Sequence, residues 1–258
     1  AIKRGMTSAS IGDTPMVRMA SISSVIFIVP RCAANAEPDR PALIYYDDST
    51  GERTELTVRE LTSWAVRTAG LLRAGCGLRI GDRAAVLLPP HWLTAGILLG
   101  AWAAGVSVSY RPWSTAGLGR PDDGPLGASF VSAARLRSWL DEPPRARHRF
   151  VVAAKEPHPG YRDFLAESRR FSDTLPSYAP LRRADAATAD GTTYRQWGAL
   201  ATELAARLGL RAGDRLLRLH GRGLPGGHLG GLAVVAVVVA MTVMVAVRVV
   251  VVPVGGLG

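Results

Sequence analysis

Three short stretches hold residue types able to touch a ligand: His91-Trp92, Gly191-Thr192-Thr193 and the glycine-flanked His228. A histidine can hold or move a proton near neutral pH. A tryptophan can wall a pocket, and glycine beside two hydroxyl residues gives a tight turn rich in polar groups. His91 and Trp92 follow the apolar run Ala84–Leu88 and the pair Pro89-Pro90. If that run is a parallel strand, they stand at its C-terminal end, where open α/β sheets place ligands. They are then pocket wall. The competing reading is a helix-capping histidine beside a packing tryptophan, in keeping with the general bias toward structural roles. For Gly191, Thr192 and Thr193 the competing reading is a turn capping a helix that starts near Thr193. For His228 it is an exposed loop.

The elements that must position these residues centre on Thr54–Tyr110. Leu61, Trp64, Ala65, Thr68, Leu71 and Leu72 share one face of a helix predicted from about Thr57 to Ala74. Thr57 with Glu60 makes a T-x-x-E capping box at its start, and Gly75 and Gly77 stop it. Gly81-Asp82-Arg83 turns the chain into Ala84–Leu88, apolar throughout as in a parallel strand covered on both faces. Pro89-Pro90 ends the strand, a helix from about His91 to Ala104 returns the chain, and Gly105 releases it into Val106–Ser109. The whole is a βαβ crossover.

Around this unit, Ala42–Tyr46 and Glu52–Leu56 flank Asp47–Gly51 and predict a hairpin. Arg111–Gly127 reads as loop, Ser129–Leu140 as a short helix, Phe150–Ala154 as a buried strand and Tyr161–Phe171 as a charged surface helix. The organising pattern then recurs. A helix over Thr193–Leu208 leads into Gly209-Leu-Arg-Ala-Gly-Asp-Arg215, an echo of Gly77-Leu-Arg-Ile-Gly-Asp-Arg83, and Leu216–Leu219 is a strand. Leu229–Val254 approaches the roughly 20 apolar residues of a membrane span. The favoured reading is a buried helix broken at Arg248 and followed by a buried strand at Val249–Val252.

Helix, G-D-R turn, apolar strand, proline, helix, A-G and a second strand together resemble the N-terminal part of acyl-CoA synthetases and other adenylate-forming enzymes. The text WAVRTAGLL…GDRAAVLLPPHWLTAGILLGAWAAG is most similar to short, stand-alone proteins of that kind. The resemblance is strong over Pro38–Tyr110 and weaker over Thr188–Pro253. It implies ATP with Mg and CoA as ligands, and a phosphate loop of the S-G-T-T-G-x-P-K-G type, since phosphate charge must be met by backbone N–H groups and hydroxyls. Gly191, Thr192 and Thr193 keep G-T-T, but Tyr194 stands where the next glycine belongs and P-K-G is missing. Leu224-Pro-Gly-Gly-His228-Leu-Gly-Gly-Leu232 is similar to an L-P-x-x-H-x-x-G-L motif whose histidine lines the acyl pocket. Gly221-Arg222-Gly223 push it away from the preceding strand. The resemblance also implies a catalytic lysine in a small C-terminal domain; Lys3 and Lys155 are the only lysines and neither has that context.

Composition narrows the partners. The net charge is +10, almost all from scattered arginines with no aromatic interleaving, so nucleic acid is not expected. Cys32 and Cys76 have no metal spacing. The expected fold is α/β: a mainly parallel sheet with helices on both faces, in two related βαβ-containing layers. Residues 1–19 are expected to be disordered or a misassigned start, 20–188 a first α/β unit and 189–258 a second, truncated one. Ala20–Val29 loosely imitates a signal peptide, but a first amphipathic helix is favoured because family-like sequence resumes at Pro38. The expected function is a catalytically incomplete, cytoplasmic acyl-CoA synthetase-like protein with no catalytic residue, metal or cofactor of its own. It would retain at most a ligand cleft at His91, Trp92 and His228, or a surface for a protein partner. The alternatives are an AMP-forming acid:CoA ligase completed by another chain, and a basic membrane-associated protein anchored by 229–254.

Overall fold

A computed structural model describes residues 38–47, 51–110, 124–137, 143–174, 181–207, 209, 215–221 and 248–254. The hairpin comes first: β1 (Pro41–Asp47) pairs antiparallel with β2 (Glu52–Thr57). Thr57 then caps α1 (Val58–Gly70), accepting from Glu60 N–H while the Glu60 carboxylate accepts from Thr57 N–H at 2.8 Å. This is the reciprocal box anticipated from T-x-x-E. The last turn widens into a π-helical segment, Leu71–Gly75, closed by Cys76 N–H on Leu71 C=O.

The turn into β3 (Arg83–Leu87) is built on Asp82, whose Oδ2 accepts from Arg79 N–H at 2.7 Å while its own N–H donates to Arg79 C=O. Gly81, at φ 89°, supplies the left-handed backbone the turn needs. Replacing Asp82 by alanine removes that acceptor and is expected to cost about 1 kcal/mol, as for a lost side-chain cap. Urea denaturation measures it; an unchanged midpoint would show that the turn holds without the carboxylate.

α2 (Trp92–Ala103) carries the chain over the sheet to β4 (Ser107–Tyr110). Then come β5 (Leu126–Ser132), the single helical turn α3 (Ala133–Leu136), β6 (Ala146–Val152), the two-residue β7 (Arg162–Asp163) and α4 (Phe164–Ser168). The five strands pair in parallel throughout, in the order β4-β3-β5-β6-β7. Two expectations are corrected here. Ser129–Leu140 begins as a strand, and its helix is one turn long. Tyr161–Phe171 splits into β7 and the short α4.

One face of this sheet carries the core: Val86, Phe130 and Phe150 sit under Leu72 of the α1 segment and Ile97 and Leu98 of α2. On the opposite face Ala85, Leu87, Leu126 and Val131 form a smaller cluster against Leu136, Ala146 and Tyr161. Among the described residues that second face meets the short α3 and not a long helix.

The recurring unit follows. Thr193 caps α5 (Tyr194–Arg207) through a second reciprocal box, with Gln196 N–H on Thr193 Oγ1 at 3.3 Å and Thr193 N–H on Gln196 Oε1 at 2.8 Å. The repeat therefore starts at the cap: T-x-x-E at Thr57 and T-x-x-Q at Thr193. Tyr194, Trp197 and Ala201 join the main core, and Tyr194 O–H donates to Trp102 C=O at 3.2 Å. β8 (Arg215–Gly221) and β9 (Arg248–Val254) run parallel and complete a second sheet of order β2-β1-β9-β8. The two G-D-R units thus feed different sheets, which gives the expected pair of related layers in one α/β fold. Most of Leu229–Val254 and all of His228 lie outside the described residues. The described end of that stretch, Arg248–Val254, is a sheet strand.

Candidate functional site

The chain leaves β3 for β4 on one side and later places β5 on the other, so the winding reverses between β3 and β5. In open α/β sheets the crevice beyond the C-terminal strand ends at such a reversal is the usual ligand position. Two of the residues singled out from sequence stand there. His91 is the N-cap of α2, directly after the Pro89-Pro90 that ends β3, and Trp92 is the first residue of that helix. His91 therefore takes the capping role of the competing reading, at the C-terminal edge of the sheet.

Both rings are held from the hairpin. Trp92 Nε1–H donates to Glu52 Oε1 at 3.0 Å, and His91 Nε2 lies 3.5 Å from the same oxygen. His91 Nδ1 accepts from Leu93 N–H at 3.1 Å. Tyr45 lies 4.6 Å from the imidazole, ring centroid to centroid, and Trp64 of α1 meets Trp92 edge-on at 5.6 Å. Burial pushes His91 below the ordinary imidazole range against the pull of Glu52 and Asp47. Burial first, then the same two carboxylates, push the Tyr45 phenol well above its ordinary value. Tyr45 is therefore neutral, and His91 is predominantly neutral near pH 7. Glu52 and Tyr45 escape a sequence reading because they lie in a hairpin some 40 positions away.

Further along the same edge, Ser132 ends β5 and its Oγ accepts from Arg135 N–H at 3.2 Å. Arg135 is 4% exposed, an unusual burial for a guanidinium. Ala153, just beyond β6, takes φ 55°. Left-handed backbone at a non-glycine residue stores strain and clusters at functional edges.

The triplet Gly191, Thr192, Thr193 lies elsewhere, in the turn before α5. Gly191 N–H donates to Thr188 C=O at 3.0 Å, Thr192 N–H to Asp190 Oδ1 at 3.0 Å and Thr193 N–H to Gln196 Oε1 at 2.8 Å. Thr188 Oγ1–H donates to the same Asp190 oxygen at 2.6 Å and itself accepts from Trp197 Nε1–H. Burial works to raise Asp190, and these hydrogen bonds outweigh it, holding the carboxyl below its ordinary range.

A second polar cluster surrounds Cys76. Its buried thiol accepts from Arg162 at 3.7 Å, and Arg162 also reaches His148 Nδ1 at 3.0 Å and Glu167 at 3.2 Å while stacking over Phe150. Burial raises the thiol despite the guanidinium, which disfavours the nucleophilic thiolate. Among the described residues, no group of three or more His, Cys, Asp or Glu could hold a metal ion, and no helix is long and apolar enough to cross a membrane.

The AMP-binding enzyme family matches residues 31–113. A Mycobacterium tuberculosis protein is 39% identical over 101 residues, which are 39% of this chain and 37% of that protein. A fatty acyl CoA synthetase of M. tuberculosis superposes with TM-score 0.64 at 19% identity, over 89% of this chain and 45% of its own. Acetoacetyl-CoA synthetase from Streptomyces lividans gives 0.66 at 20%, over 88% and 38%. A long-chain-fatty-acid-CoA ligase from Archaeoglobus fulgidus gives 0.66 at 15%, over 88% and 46%. The fold is that of the N-terminal part of adenylate-forming enzymes. The chain resembles the N-terminal part of acyl-CoA synthetases and related AMP-binding enzymes, and spans less than half the length of these relatives.

Proposed function

We propose that this chain is a catalytically incomplete acyl-CoA synthetase-like protein that works in the cytoplasm through a ligand cleft or a protein partner. The observation carrying this reading is the state of Gly191, Thr192 and Thr193. All three N–H groups donate within the turn or to the α5 cap, so none is left for a phosphate without breaking the turn or the cap. The residues present do not form a phosphate cradle. Under this reading the chain has no cofactor of its own; ATP, Mg and CoA enter only through the resemblance. What it retains is the sheet edge at His91 and Trp92, with His228 assigned to the same cleft by the resemblance.

Attack of a carboxylate on the α-phosphate builds charge that preorganised donors must meet, and losing one such donor typically costs ~2.7–4 kcal/mol. The isolated chain is therefore expected to show no acid-dependent exchange of pyrophosphate into ATP. Purified protein, Mg-ATP and acids of short to long chain make the assay, with a Gly191→Ala, Thr192→Ala, Thr193→Ser variant as baseline. Exchange well above that baseline would overturn the reading, since it would mean the turn opens to hold phosphate. The alternative is an AMP-forming ligase completed by another chain.

A further inference from the structure

His91 is fixed on both ring nitrogens. Nδ1 accepts from Leu93 N–H, so the neutral ring carries its proton on Nε2, and Nε2 faces Glu52 across 3.5 Å. Glu52 heads β2 and Leu93 lies in the first turn of α2. One tautomer of one ring thus joins two elements far apart in the chain. Protonation cannot leave this arrangement intact. A proton on Nδ1 replaces the acceptor with a donor, facing a backbone donor, and sets a cation at the positive end of the helix dipole.

We propose that His91 is a pH-operated catch: neutral, it caps the first turn of α2 at Leu93 while facing Glu52 of the β1–β2 hairpin, and protonation at Nδ1 releases the Leu93 amide, leaving that turn tied to Glu52 through Trp92. The charged groups acting on the ring are Glu52 of β2 and Asp47 of β1, both favouring the cation, while the neighbouring Tyr45 phenol stays neutral. Burial outweighs the two carboxylates, so the folded ring titrates below the unfolded one. The catch is closed above about pH 6.5, the unfolded value. Its contribution to stability is lost as pH falls below that value and through the folded one. This holds whether or not the sheet edge binds a ligand.

The test combines ¹⁵N spectroscopy of the His91 ring with hydrogen exchange of the Leu93 amide across pH 4–8, on the intact chain and on Glu52→Gln and His91→Asn. At neutral pH the ring should show the Nε2–H tautomer. Leu93 protection should fall about fivefold through the His91 midpoint, the size of a lost cap, while the Val86 core amide stays protected. Glu52→Gln should move that midpoint to lower pH, because one carboxylate that favours the cation is gone. In His91→Asn, asparagine caps without titrating, so Leu93 protection should lose its midpoint. An Nδ1–H tautomer at neutral pH would overturn the proposal. So would Leu93 exchange that ignores the His91 midpoint, loss of Val86 protection along with it, or a Glu52→Gln midpoint that rises.

Discussion

Replacing Phe130 by alanine is expected to destabilise the protein by about 3–5 kcal/mol, the range for a buried phenylalanine lost from a core. Phe130 is fully buried in β5, the central strand of the parallel sheet. Its ring stacks on Phe150 of β6 at 5.2 Å and meets Phe164 of α4 edge-on at 5.7 Å. Phe164 in turn lies 6.5 Å from Trp64, which contacts Trp92. The aromatic line runs from the middle of the sheet to the candidate site. Total stability of a domain is commonly 5–15 kcal/mol, so the variant should sit near its unfolding threshold. Urea denaturation gives the number, and a double-mutant cycle with Phe150→Ala isolates the stacked pair, expected at about 0.5–1.5 kcal/mol. A loss below about 1 kcal/mol, the mean of ordinary substitutions, would show that Phe130 is not at the centre of the core.

Phe130 also marks where sequence reading stops. The first βαβ unit is legible because its signals are local: Thr57 with Glu60, Gly81-Asp82-Arg83, the five-residue apolar run and Pro89-Pro90 each act within a few residues. β5 is different. Leu126–Ser132 contains glycine, alanine and two serines, and its strand character comes from β3 on one side and β6 on the other. Neither partner is near in sequence. Val131, Leu136 and Leu140 then imitate helical spacing over a segment whose first part is strand. The site divides in the same way. His91 and Trp92 are marked by their place after a strand, whereas Glu52 looks like any polar residue of a hairpin until the fold brings it to both rings. Gln196 had a local signal, the T-x-x-Q box, that the similarity of the second unit to the first makes readable.

Gly100→Ala should also destabilise strongly, by about 1–3 kcal/mol or more, the usual cost of forcing extra atoms into a packed interface. Helix propensity alone argues the other way, since alanine in a helix interior is favoured over glycine by about 1 kcal/mol. Packing decides. A Cβ on Gly100 would collide with Thr68 Cβ and stand 2.6 Å from Ala65 C=O, so it meets α1 at its backbone and at the root of a side chain. Neither can rotate away, and α2 must lift from α1. Gly96, one turn earlier, would meet Trp64 Cβ at 3.1 Å, a milder contact. The two substitutions therefore separate propensity from approach distance: Gly96→Ala is expected near neutral, Gly100→Ala well below it. Truncating Thr68 to alanine should not rescue Gly100→Ala, because the clashing Cβ and the Ala65 carbonyl both remain. The same lift would carry the N-terminus of α2 away from the hairpin, so Trp92 Nε1–H should exchange faster in Gly100→Ala as its bond to Glu52 loosens. A Gly100→Ala protein as stable as the parent would mean that α1 and α2 do not approach this closely. The placement of His91 and Trp92 against the hairpin would then need another cause.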